Sequence, residues 1–206
     1  MASRELLLSP FSSLALSIPA LVAVTQGDKQ RISARGDDSL IDLLALVVEN
    51  QKWNIQFLSQ NAPPGELEIY VTLPSIDSLF ILGSGDIRSQ GVLQVSDVAL
   101  SIQGSGGMNL DIRGRHAETS ISGSGNLELS GQLDDCSVVI SGSGNYLALG
   151  LASRDANVKI SGSGIAELFV TNKLSARISG SGNVYYVGAP VLDVRITGSG
   201  RVVRRN

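Results

Sequence analysis

Residue types able to do covalent or metal chemistry are sparse in this 206-residue chain. It has one histidine, His116, and one cysteine, Cys136. Zinc and iron–sulfur spacings are therefore absent, no internal disulfide can form, and any Ser-His triad would have to be built on His116 alone. The tripeptide Gly-Ser-Gly, in contrast, occurs seven times, at 83–85, 104–106, 123–125, 142–144, 162–164, 180–182 and 198–200. No copy continues to G-x-G-x-x-G ahead of a helical pattern, so it does not cradle phosphate. None forms the G-x-S-x-G of a nucleophile elbow. Asp86, Asn126, Asn145 and Asn183 follow the tripeptide in four copies. A calcium-binding β-roll needs a nine-residue period with an Asp in each turn, so an asparagine ladder is the better reading. The serines are expected as corner posts, with hydroxyls bonding backbone of their own or the neighbouring coil.

The spacing of the copies explains why. Steps of 21, 19, 19, 20, 18 and 18 residues separate them, and an isoleucine stands two residues before each, from Ile81 to Ile196. A period near 20 with one apolar anchor per unit is the signature of a stacked solenoid. Positions two and four residues before the isoleucine are mostly apolar as well (Val138 and Cys136 in the fourth copy), so one face of an approach strand points inward. A second inward strand starts at Ile87, Met108, Leu127, Tyr146, Ala166, Val184 and Val202. The expected fold is all-β: a right-handed parallel β-helix. A left-handed hexapeptide helix is less favoured because the sixfold subpattern is missing and coil length varies. Cys136 falls on the inward ladder and is expected to be buried and inert. His116 faces out between Asp97 and Asp135 of the adjoining coils, just before an approach strand, a solvated turn histidine.

Residues 1–77 carry no Gly-Ser-Gly but also read as strands: Leu14–Ile18, Leu21–Thr25, Gln30–Ala34 and Leu67–Leu73. A short helical turn is expected over Leu40–Leu44 and a hairpin across Asn50-Gln51-Lys52. These strands extend or cap the seven coils of 78–206, and the whole of 1–206 is read as a single domain. Pro10, Pro19 and scattered serines break the apolar opening, which is read as strand rather than signal peptide. No stretch approaches the ~20 apolar residues of a membrane-spanning helix. A net charge of −3 gives no general attraction to nucleic acid or an anionic membrane.

Three outward features remain as candidate sites. Lys159, Arg177 and Arg195 precede the isoleucine in three successive coils, and like charges stacked this way are unfavourable unless compensated. Asp193 and Glu167 are the expected partners; the competing reading is an anion-binding stripe for a sulfated or uronic-acid glycan, with Tyr185 as a stacking surface. Both parities are apolar in Tyr146-Leu147-Ala148-Leu149-Gly150-Leu151, which predicts a contact face, for homo-oligomerisation or for packing on the N-terminal strands. Glu118, Glu128 and Glu167 are the carboxylates a β-helix polysaccharide lyase or hydrolase would use. They fall in three coils and separate columns, so an enzyme is the second reading.

The run of Ile-Ser-Gly-Ser-Gly-Asn units resembles the auto-transporter adhesin head domain called the GIN domain. Val24-Thr25-Gln26-Gly27-Asp28-Lys29-Gln30, Gly36-Asp37-Asp38, Val48-Glu49-Asn50, Tyr70-Val71-Thr72-Leu73-Pro74-Ser75 and Gly198-Ser199-Gly200-Arg201-Val202 are similar to that family too. The resemblance implies an exported all-β solenoid of the bacterial cell envelope, with residues 9–75 in the same domain. The leading reading is therefore a non-enzymatic envelope or surface module that adheres to a glycan or protein partner or serves as a structural spacer, with no cofactor. The family's export signal or lipoprotein cysteine is not found near the start of this sequence.

Overall fold

The computed structural model describes residues 2–59 and 61–205. The chain begins with β1 (Ala2–Leu6), β2 (Ser13–Leu16), β3 (Leu21–Gln26) and β4 (Arg31–Gly36), then one helical turn, α1 (Asp38–Asp42). The short β5 (Val48–Glu49) and β6 (Lys52–Ile55) form the hairpin, with Asn50 and Gln51 both at positive φ, the primed turn that a two-residue hairpin requires. β7 (Leu67–Leu73) and β8 (Ser78–Ile81) follow. Five long strands come next: β9 (Asp86–Gly104), β10 (Gly107–Gly123), β11 (Asn126–Gly142), β12 (Asn145–Gly162) and β13 (Ile165–Gly180). The chain closes with β14 (Asn183–Val187), β15 (Val191–Gly198) and β16 (Arg201–Arg204).

The architecture is a parallel β-solenoid. The isoleucine ladder runs unbroken from coil to coil, Ile121 opposite Ile140, Ile140 opposite Ile160, Ile160 opposite Ile178. Each long strand is folded into two walls by a second corner. In β11 the inward residues are Leu127, Leu129 and Leu133 before Asp134-Asp135, and Cys136, Val138 and Ile140 after it. Burial thus switches from odd to even positions at the two aspartates. A charged pair that takes two successive outward places is what turns the chain there.

At the other corner, glycine is required twice over. Gly142 sits at φ +122, a conformation L side chains rarely adopt. A Cβ on Gly144 would lie 2.4 Å from Ile121 Cγ2 and 2.7 Å from the Gly125 carbonyl oxygen of the preceding coil. The coils are tied through backbone: Ser143 N–H donates to the Gly123 carbonyl at 2.9 Å and Asn145 N–H to that of Gly125 at 3.0 Å. The serines themselves are exposed, so the expected hydroxyl-to-backbone column is replaced by this N–H column. The asparagine ladder is present where Asn145 Nδ2 donates to Asn126 Oδ1 at 2.8 Å.

The N-terminal strands both extend and cap. Leu16 of β2 lies opposite Ile81, and Ile55 of β6 lies opposite Leu16, so two more rungs, β2–β3 and β6–β7, continue the ladder. Their order in space is reversed relative to the chain: β6–β7 is the outer rung and β2–β3 is clasped between it and β8–β9. β4 then pairs antiparallel with β7, and β1 antiparallel with β4, covering that end. Trp53, fully buried, packs against Phe11 with ring centroids 5.9 Å apart and donates from its indole nitrogen to the Ala45 carbonyl at 2.9 Å. Among the described residues nothing equivalent covers β15: Leu192, Val194 and Ile196 are 45%, 39% and 39% exposed, though their equivalents Leu174, Ala176 and Ile178 are buried.

The doubly apolar stretch 146–151 resolves differently from expectation. Tyr146, Ala148 and Leu151 all point inward because a bulge at Leu149-Gly150 breaks the alternation. Leu149 is exposed and Leu147, in the outward column between Glu128 and Glu167, is half-buried, while β12 lies between β11 and β13, away from the N-terminal strands.

Candidate functional site

Cys136 is buried, and burial pushes its thiol up to about 11, so it stays protonated at neutral pH and is a core group. Beside it Tyr146 places its hydroxyl in the interior next to the thiol, and its ionisation is pushed upward by the same desolvation. His116 stands between Asp97 and Asp135 as expected, with its Nδ1 on the Asp135 carboxylate. It belongs to the charged second corner, where Arg115 pairs with Asp97 and Arg154 with Asp155. Asn172, donating to Asp155 at 2.6 Å, holds that carboxyl below its usual range, with Arg154 adding to the effect. Among the described residues no group of three His, Cys, Asp or Glu side chains is placed to hold a metal ion.

The three carboxylates of the enzymatic reading are not in separate columns. Glu128 lies opposite Leu147 and Leu147 opposite Glu167, so these two share a column with one leucine between, about 10 Å apart at the usual strand spacing. Both stand three residues after the second glycine of their corner, a signal that was present in the spacing. Each is engaged: Glu128 accepts from Asn109 Nδ2 at 2.9 Å and Glu167 pairs with Arg205 at 2.8 Å. Glu118 is on the other wall, opposite Ser137.

Lys159, Arg177 and Arg195 do form a column, one per coil, on the wall that leads into the Gly-Ser-Gly corner. All three are exposed. Only Arg177 has an ion-pair partner among the described residues, Asp193 at 3.5 Å. Glu167 does not serve the column. Tyr185 lies opposite Glu167 on the other wall, with the Arg205 guanidinium 4.2 Å above its ring. Next to the cations runs a hydroxyl column that sequence reasoning passed over: Ser141, Ser161, Ser179 and Thr197 in register. Its signal was the residue directly after each repeat isoleucine. Cations and hydroxyls line a shallow groove of about 290 Å³, bounded at one end by Val139. Charge along the chain is uneven in the same sense. Residues 150–206 hold eight Lys/Arg against three Asp/Glu, net +5, and residues 1–149 hold eight against sixteen, net −8.

A second concavity, about 610 Å³, lies between β6 and β7, lined there by Gln56, Phe57, Ser59 and residues 62–65. Ile18, Pro19, Leu40, Phe57, Pro63 and Pro64 make its wall mainly apolar.

Stacked coils joined by Gly-Ser-Gly corners, with mainly polar outward strand faces, define a β-solenoid. The chain belongs to the family described as "Putative auto-transporter adhesin, head GIN domain", whose profile matches residues 10–190. Solved structures share the fold over nearly the full length. A putative adhesin from Bacteroides fragilis NCTC 9343 is 20% identical with a TM-score of 0.89, covering 99% of this chain and 96% of that one. A protein from Parabacteroides distasonis ATCC 8503, described as a putative lipid binding protein, is 24% identical with a TM-score of 0.81, covering 100% and 96%. A putative adhesin from Parabacteroides merdae ATCC 43184 is 18% identical with a TM-score of 0.77, covering 100% and 96%. No curated protein matches the chain. Among the described residues no helix is long and apolar enough to cross a membrane.

Proposed function

We infer that this chain is a non-enzymatic adhesive module of the bacterial cell envelope, exported, acting as one domain over 1–206. Its binding surface is the wall carrying Lys159, Arg177 and Arg195, and its ligand is an acidic glycan running along the solenoid axis. The observation that carries this reading is the cation column beside the hydroxyl column. Stacked coils repeat both groups about every 4.8 Å, so a polymer bearing regularly spaced carboxylates or sulfates meets a charge and a hydroxyl at each step. Uncompensated stacked cations cost stability, and a polyanionic ligand offsets that cost. Tyr185 is outside this surface. A glycan array with uronic-acid and sulfated polymers tests the reading. At about 1–2 kcal/mol for each charge-assisted contact, Arg177→Ala/Arg195→Ala should weaken binding roughly 30- to 1,000-fold, and added salt should weaken it further. Array binding unchanged in the double variant would sink the proposal.

A second reading is favoured by the apolar cavity at residues 56–66 and by the lipid-binding description given to one structural relative. In that reading an acyl chain lies against Phe57, Pro63 and Pro64. Displacement of a fluorescent fatty acid, lost in Phe57→Asp and retained in Arg177→Ala/Arg195→Ala, would favour it; no fatty-acid binding by the parent chain would remove it.

A further inference from the structure

The two ends of the solenoid are unlike. At the tail, among the described residues, β15 and β16 pair on one side only, with β13 and β14, so each has a free backbone edge. The inward residues Leu192, Val194 and Ile196 face solvent like the cut end of a core. A free edge over exposed apolar residues is a ready template for another strand. At the head, β4 runs antiparallel to β7 and β1 antiparallel to β4. Two reversals restore the direction, so β1 runs parallel to β7 and, through the parallel pairings of that wall, parallel to β16.

We propose that copies of this chain associate head to tail along the solenoid axis, the β15–β16 end of one seated on the β1–β5 end of the next. A simple translation brings β16 of one copy alongside β1 of the next in the parallel sense used by every coil. Charge favours the same pairing. The tail bears Arg195, Arg201 and Arg204, with Arg205 held by Glu167. The outermost head elements present Glu5, Asp37, Asp38, Asp42 and Glu49 against Arg4, which already bridges Asp38 and Asp42; Arg31 and Arg35 lie one strand further in. Tail-to-tail pairing would set the arginines of both copies against one another. The contact is heterologous, so it does not close at two copies but adds further ones.

Sedimentation velocity on the 206-residue chain tests this without any ligand, so its outcome is independent of the glycan reading. Mass should climb continuously with concentration past twice the monomer, and fall as salt shortens the screening length from about 10 Å at 0.1 M to about 3 Å at 1 M. Val194→Asp/Ile196→Asp at the tail should leave a monomer. Because that variant alters the last rung, Glu5→Lys/Glu49→Lys on exposed head positions provides the second arm and should also leave a monomer. A parent chain that stays monomeric, a plateau at dimer, or a head variant that associates like the parent each overturns the proposal.

Discussion

Gly144→Ala should cost about 3 kcal/mol of stability, and Ser143→Ala next to it less than about 0.5 kcal/mol. The two substitutions stand one residue apart in the same corner, but one removes an exposed hydroxyl and the other adds a methyl to closed space. At 143 the side chain is exposed and the coil-to-coil bond belongs to the backbone N–H, so truncation leaves the Gly123 contact intact. At 144 the added methyl enters space held by Ile121 Cγ2 and the Gly125 carbonyl, at 2.4 and 2.7 Å. Relief would require the coils to separate, which stretches the hydrogen bond from Asn145 to Gly125 and opens the isoleucine ladder. For a chain of this size the loss should read as a fall in melting temperature of about 6–12 °C. Thermal unfolding followed by far-UV circular dichroism measures both variants. A Gly144→Ala protein melting with the parent would mean that the coils are not in close contact at the corner.

The second large effect is expected at the head. Trp53→Ala should remove about 3–5 kcal/mol locally, because it empties a fully enclosed site and leaves the Ala45 carbonyl without its indole donor. Trp53→Phe keeps most of the volume and the contact with Phe11, and should lose about 1–2 kcal/mol. In a stack of coils each rung touches chiefly its neighbours, so the damage should stay near its origin. Hydrogen exchange should show protection falling first in β6, β7, β4 and β1, with β11–β13 unaffected. Uniform loss across all coils would show that the stack unfolds as one cooperative unit.

How far these features could be read in advance depended on whether local spacing carried them. Ile-x-Gly-Ser-Gly repeats at nearly constant steps, so the coil, its inward ladder and the Lys159–Arg177–Arg195 column followed from counting. The hairpin at Asn50-Gln51 and the helical turn near Leu40 were legible for the same reason, since turn chemistry is local. The head was not. That β6–β7 lies outside β2–β3 is settled by long-range pairing between segments without the repeat, and no period in residues 1–77 encodes it. The second corner was hidden because Asp134-Asp135 looks like ordinary surface polarity, and only the change of parity after it marks a turn. Tyr185 was grouped with the arginines by closeness along the chain, yet the Gly-Ser-Gly corner at 180–182 separates it from Arg177 and the second corner separates it from Arg195, so it is on the opposite wall. The bulge at Leu149-Gly150 likewise cannot be placed from alternation, since it is the point where alternation stops.

The reversed order of the first two rungs bears on how the molecule takes a pull. Drawn from its C-terminal end, the chain can come away one rung at a time, because each outermost rung is held along a single edge. Drawn from its N-terminal end, β1 detaches in the same manner, but the next strand to feel the load is β2, gripped by β6 on one side and β8 on the other. It cannot peel; two rows of hydrogen bonds must slide together before it moves. An anchor on the N-terminal side would therefore engage a strand loaded in shear, while a ligand tugging on the far coils acts where the chain unzips. The fold has a strong end and a yielding one, and the strong end is made by laying a later segment over an earlier one.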